Sequence, residues 1–142
     1  MNIPKVTLYK SVIALAGRGN KSNEVILTLF DCFMDNEEKE IQLRKTAGIK
    51  LFKIAISDKN LIYPFLPRLL EFFSKIENVA GLRGLAGTMM GESFLEEKAV
   101  QEAFKLARND KAVQVYQPVE HYLSILRKPE TYGLPPWYWQ RD

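Results

Sequence analysis

The side chains able to do chemistry are few in this chain, and their spacing narrows what they can do. Asp35-Asn36-Glu37-Glu38-Lys39-Glu40 gathers carboxylates of the kind that hold a divalent cation. The run lacks the Asp-x-Asp-x-Asp-Gly order that wraps calcium, whereas acids in a first helical turn are favoured by the helix dipole. Capping is the better account. His121 is the single histidine, which removes most zinc chemistry and leaves any catalytic triad hanging on one residue. It lies among Tyr122, Leu123, Ile125 and Leu126 on a short apolar helix, where a structural imidazole is expected. Cys32, the only cysteine, sits between Phe30 and Phe33 and reads as a core residue, not a reactive thiol. The chain has no Gly-x-x-x-x-Gly-Lys-Ser/Thr loop, no Gly-x-Ser-x-Gly and no Cys-x-x-Cys. Gly17-Arg18-Gly19 follows a helix instead of opening one, so it is a turn and not a phosphate cradle. The expectation is a non-enzyme without cofactor or metal.

Binding chemistry is better supplied. The stretch from Tyr132 to Asp142 holds both tryptophans, Trp137 and Trp139. Its prolines stop it from continuing a helix, yet it is too apolar for a free tail. One reading folds Leu134, Trp137 and Trp139 back onto the last helices. A second takes Pro135-Pro136-Trp137-Tyr138 as the Pro-Pro-x-Tyr pattern bound by WW domains. A third docks the tail on another subunit and makes a homo-oligomer.

The elements that position these groups are legible from a repeat. Shifted by 39 residues, Leu43-Arg44-Lys45-Thr46-Ala47-Gly48 falls on Leu82-Arg83-Gly84-Leu85-Ala86-Gly87. The match runs without a gap from Glu24–Gly48 to Tyr63–Gly87 and includes seven identities. Such a period belongs to helical pairs that cannot bury their apolar faces alone and therefore stack. Asp35-x-x-Glu38 and Ser74-x-x-Glu77 read as two capping boxes at the repeated turn.

Applied throughout, the period predicts about seven helices: Pro4–Ala16, Asn23–Met34, Asn36–Ile56, Leu61–Phe73, Lys75–Met90, Ser93–Arg108 and Pro118–Lys128. Apolar stripes choose the inward faces. Leu8, Val12 and Leu15 serve the first helix, and Ile26, Leu29, Phe30 and Phe33 the second. Leu43, Ala47, Leu51 and Ile54 serve the third, and Leu95, Ala99, Ala103 and Leu106 the sixth. Val113–Tyr116 is ambiguous and could be extended. In the fifth helix Gly84, Gly87 and Gly91 share one side, with Gly81 at its margin. Each interior glycine costs about 0.5–1 kcal/mol against alanine, so a bare side needs a reason. Tight packing on a neighbouring helix is favoured over a groove for a partner segment.

The 142 residues, 46% hydrophobic and 26% charged, suffice for one core in a soluble chain. A net charge of +3 is too weak to argue nucleic acid by itself. The charges are uneven: Lys5, Lys10, Arg18 and Lys21 precede the first acid, and acids cluster after it. Val6–Ala16 is interrupted by Lys10 and reads as no cleavable signal. No apolar run approaches the roughly 20 residues of a membrane span. A reducing, intracellular setting, the cytoplasm by default, is expected.

An apolar helix, a turn with Asp, then Leu-Arg-x-x-Ala opening a second helix resembles the HEAT repeat. Val25–Ile56 carries the resemblance best, through Asp35, Leu43-Arg44 and Ala47. Leu61–Met90 is the second copy, its Pro64 and Pro67 similar to the proline common in that family's first helix. The resemblance implies an all-α fold, a short α-solenoid of antiparallel helix pairs over residues 1–131, closed by an aromatic tail over 132–142. It implies that Asp35, Arg44 and Arg83 tie neighbouring repeats, with Ser74 replacing the acid in the second copy. It also implies that the second helix of each pair lines a concave surface. There Gln42, Lys45, Thr46, Lys50 and Lys53 would join Gly84, Leu85, Met89 and Glu92.

A lysine stripe beside a Met-containing patch suits an acidic or amphipathic protein segment. The expected function is therefore a non-catalytic protein–protein interaction module, an adaptor or assembly factor. Pro135, Pro136, Trp137, Tyr138 and Trp139 would form a second anchor. The alternative is a nucleic-acid-binding helical repeat, with Lys5, Lys10, Arg18, Lys21 and the lysine stripe on phosphates.

Overall fold

Ser22 Oγ accepts the amide of Val25 at 3.3 Å and so opens the first strongly amphipathic helix, while Gly19, at φ 93°, turns the chain just before it. The computed structural model describes residues 4–127. Among these residues seven α-helices follow one another: α1 (Lys5–Gly17), α2 (Asn23–Phe33), α3 (Ile41–Ser57), α4 (Leu66–Ser74), α5 (Ala80–Phe94), α6 (Lys98–Leu106) and α7 (Val113–Arg127). Among the described residues there is no strand, and the all-α expectation holds. None of these helices is long and apolar enough to cross a membrane.

The order of contacts is regular. α1 packs on α2 and α3, α2 on α3, and α3 on α5. α4 lies against α5 and α6, and α5 and α6 both touch α7. Aromatic rings join these pairs through the interior. Phe33 meets Phe72 at 5.2 Å, Phe73 meets Phe104 at 5.6 Å, and Phe104 stacks on Tyr122 at 5.9 Å. Cys32 is fully buried among them, and burial pushes its thiol pKa up to about 12, as a core cysteine requires.

Ile41 and Ala80, the first residues of α3 and α5, keep the 39-residue offset, yet neither capping box forms. Asp35 is drawn away instead. Its Oδ2 accepts from Lys5 Nζ and from Tyr9 Oη, each at 2.8 Å, and its Oδ1 accepts the Glu37 amide. Burial opposes ionisation of Asp35, but these bonds outweigh it and hold the carboxyl below its usual range. At the second turn Asn78 Nδ2 donates to the Phe72 carbonyl at 2.9 Å, and Ser74 ends α4 in the open.

Four helices differ from the expected pattern. Tyr9, anchored on Asp35, rotates α1 so that Tyr9 and Val12 are buried, while Leu8 and Leu15 face outward. Where a helix is expected from Leu61, the chain makes two tight 3₁₀ turns, Lys59–Leu61 and Tyr63–Phe65, with Pro64 in the second, and α4 begins at Leu66 with Pro67 in its first turn. α6 buries Val100 and Phe104, because the Phe104 ring fills the space between Phe73 and Tyr122; of the expected stripe, Leu95 and Ala103 pack half-buried against the core and Ala99 and Leu106 are exposed. α7 starts five residues earlier than expected and carries Pro118 within it.

The glycine side of α5 is used for packing. A Cβ on Gly84 would strike the Gln114 carbonyl of α7, and one on Gly91 would strike the Tyr122 ring. A Cβ on Gly87 would come 2.9 Å from the Phe73 ring, as one on Gly48 would come 2.6 Å from Phe33. Gly81 alone in this set has nothing within 4 Å.

Candidate partner-binding groove

α3, α5 and α7 line a shared recess of about 710 Å³, α3 with its first turns and α5 and α7 with their first three turns. Its walls come from Ile41, Gln42 and Lys45 on α3, Gly81, Gly84 and Thr88 on α5, and Gln114, Gln117, Pro118 and His121 on α7. Each residue is placed by helical spacing. Gln114, Gln117 and His121 stand at i, i+3 and i+7, so they form one stripe. Val115 and Val119 hold the inner side of α7 in the core, and Tyr122, also buried, reaches the recess from that side.

The α5 wall is nearly bare because Gly84 sits against the backbone of Gln114. Pro118 explains that approach. It has no amide to give the Gln114 carbonyl four residues earlier, so that oxygen faces α5 instead of a helical donor. Ile41 and Val79, 41% and 38% exposed, make one end of the recess apolar. Lys45 is the one charged side chain among the described residues that line it. Three glutamine amides supply both donors and acceptors to whatever enters.

The predicted concave residues are divided by the structure. Gln42 and Lys45 line this groove. Thr46 is half-buried and donates its hydroxyl to the Gln42 carbonyl at 2.8 Å. Lys50 and Lys53 belong to a separate recess of about 260 Å³, with Lys21, Gly17 and Ser57. Glu92 is exposed but faces a third recess beside Lys59 and Glu96, and its carboxylate accepts from Tyr122 Oη at 2.9 Å. Burial and that acceptor together push the Tyr122 hydroxyl pKa up.

Met89 is fully buried and lines no surface, which corrects its expected place on the inner face. Its side chain follows the core side of α5 because the glycine side is taken by α7. Pro135, Pro136, Trp137, Tyr138 and Trp139 lie outside the described residues.

Sequence reasoning missed Thr88, Gln114, Gln117 and His121. His121 is exposed on the groove, edge-on to the Tyr122 ring at 5.0 Å. The i, i+3, i+7 polar stripe marks it on a helix that begins at Val113.

No group of His, Cys, Asp and Glu among the described residues could hold a metal ion. The groove therefore offers shape, amides and one cation. No protein-family model, curated protein or solved structure matches the chain.

Proposed function

We propose that this protein is a non-catalytic interaction module, a short HEAT-like stack of helix pairs that holds an extended segment of another protein. The segment lies across α3, α5 and α7. The groove between those helices carries the reading, since glutamine amides line it and no acid–base pair is among the described residues of its walls.

Gln42, Gln114 and Gln117 suit the backbone of an extended chain, which offers alternating donors and acceptors. Ile41 and Val79 take an apolar side chain at one end, and Lys45 favours acidic character in the partner. The solenoid reading is supported by the succession α2/α3, α4/α5, α6/α7, in which α3, α5 and α7 touch in order.

Phosphate binding is the second reading, carried by the recess that Lys21, Lys50 and Lys53 share. It is weaker. Lys5 is spent on Asp35, and Lys21 Nζ donates to Ser57 Oγ at 2.9 Å at the end of α3.

Gly81→Trp would fill the groove without touching the core, since nothing lies within 4 Å of its Cβ position. Affinity purification with wild type, Gly81→Trp and Lys50→Glu/Lys53→Glu as baits separates the readings. The groove predicts a partner protein kept by the lysine variant and lost by Gly81→Trp. Equal recovery by all three removes the groove, and loss confined to the lysine variant, with steep salt dependence, supports phosphate contacts.

A further inference from the structure

The side of the fold formed by α4 and α6 holds a recess unlike the amide-walled groove. Tyr63, Pro64, Leu66, Pro67 and Leu70 make one wall and Ala99 the other, around about 360 Å³. No charged side chain is among the described residues that line it. Along α6 the apolar surface continues through half-buried Ala103 to Leu106, which is 87% exposed. This is the second apolar stripe of α6, left uncovered once Val100 and Phe104 took the core.

The chain leaves α7 at the end of the fold where α5 passes into α6, the end that also holds Ala99. Lys59 pairs with Glu96 at 2.9 Å, and Tyr63 Oη donates to Glu97 at 3.3 Å, so the approach to α4 lies beside the start of α6. Tyr122 rests on Gly91 and bonds to Glu92. The second half of α7 therefore runs along the end of α5, which passes through Leu95–Glu97 into α6. α7 ends at Arg127 at that same end of the fold. Residues 128–142 come next, and they include Leu134, Pro135, Pro136, Trp137, Tyr138 and Trp139. Nine residues of extended chain, enough to reach Trp137, span about 30 Å.

We propose that residues 128–142 of the same molecule dock in the α4–α6 recess and cover Ala99 and the open stripe of α6. The chemistry matches on both sides. From Tyr132 to Gln140 the segment carries no formal charge, and the recess carries none either. Prolines pre-extend the segment and reduce the entropy lost on docking, and tryptophan rings pack well on proline and tyrosine faces. The amide-walled groove, with Lys45 on its edge, is the poorer match for such a segment. The site is separate from the partner groove, and the two proposals stand independently.

Trp137 and Trp139 are the only tryptophans in the chain, so indole fluorescence reads this segment alone. The full chain should emit to the blue of a synthetic peptide of residues 128–142, with acrylamide quenching several-fold weaker at every protein concentration. Ala99→Arg and Leu106→Glu, both at exposed helical positions, should return emission and quenching toward the peptide values with circular dichroism unchanged. Lys45→Glu should leave them as in wild type. Peptide-like emission from the wild-type chain overturns the proposal. So does emission that ignores both α6 variants, or a blue shift lost on dilution, which would assign the segment to a second copy.

Discussion

Arg44 donates its Nε–H to the carbonyl oxygen of Phe33 at 3.1 Å, and the ring of that same phenylalanine occupies the space where Gly48 lacks a side chain. Arg83 repeats the arrangement on Phe73 at 2.8 Å, with Gly87 under the ring. The two guanidinium groups then diverge. Arg83 Nη2 reaches Asp110 at 2.7 Å, in the turn before α7, whereas Arg44 Nη2 reaches only Asn36 at 3.1 Å. Arg44 makes no ion pair among the described residues, and burial pulls its pKa down.

That difference predicts unequal costs. Arg83→Met leaves the Asp110 carboxylate buried and unpaired, a loss of about 3–5 kcal/mol. Arg44→Met orphans the buried Phe33 carbonyl and releases the Asn36 amide, which is exposed and can turn to water, a loss of about 1–3 kcal/mol. Urea unfolding of the two variants measures both values, and equal losses would show that Asp110 adds nothing to the link.

Acid should weaken the fold through two carboxylates. Burial opposes ionisation of Asp110, but Arg83 and the Ala112 amide prevail and lower its pKa, as Lys5 and Tyr9 do for Asp35. A folded-state pKa below the unfolded one contributes stability that is complete above the unfolded value near 4, at about 3.9 for Asp, and fades as pH falls through the folded value. Thermal melts should therefore fall steeply below about pH 4. Asp110→Asn and Asp35→Asn should each flatten that fall, at the expense of stability near neutrality. Unchanged acid slopes in both would contradict the pairing.

Much of the fold could be read from residue pattern because the repeat fixes where apolar faces meet. Phe33, Leu43, Ala47 and Leu51 are buried as their spacing requires. The stripes of α1 and α6 could not be read in the same way, since each helix has two apolar sides and a distant group chooses between them. Asp35 chooses for α1 and the Phe73–Phe104–Tyr122 packing chooses for α6. The groove was half legible. Gln42 and Lys45 follow from the repeat, but Gln114, Gln117 and His121 depend on a helix that runs through Pro118, against proline's usual preference for a first turn.

Glycines on one helix should respond with opposite signs. Gly81→Ala meets open space and should stabilise the protein by about 0.5–1 kcal/mol through helix propensity. Gly91→Ala drives a methyl into the Tyr122 ring, which the Glu92 bond and the core hold in place, and should cost about 1–3 kcal/mol. Melting by circular dichroism compares them directly. A destabilised Gly81→Ala would mean that the groove wall needs a bare backbone for folding.

Pro118 and Gly84 should prove energetically coupled. Gly84→Ala places a methyl on the Gln114 carbonyl, which stands toward α5 because Pro118 offers it no amide. Pro118→Ala restores that amide, lets the carbonyl turn back along α7, and raises helix propensity by up to about 3 kcal/mol. The cost of Gly84→Ala should then shrink by about 1 kcal/mol or more in the Pro118→Ala background, a non-additivity expected only for groups in direct contact. Urea denaturation of the four proteins in the cycle gives the coupling. Additivity within about 0.5 kcal/mol would mean that the carbonyl keeps its direction without the proline, and that the bare wall of the groove has some other cause.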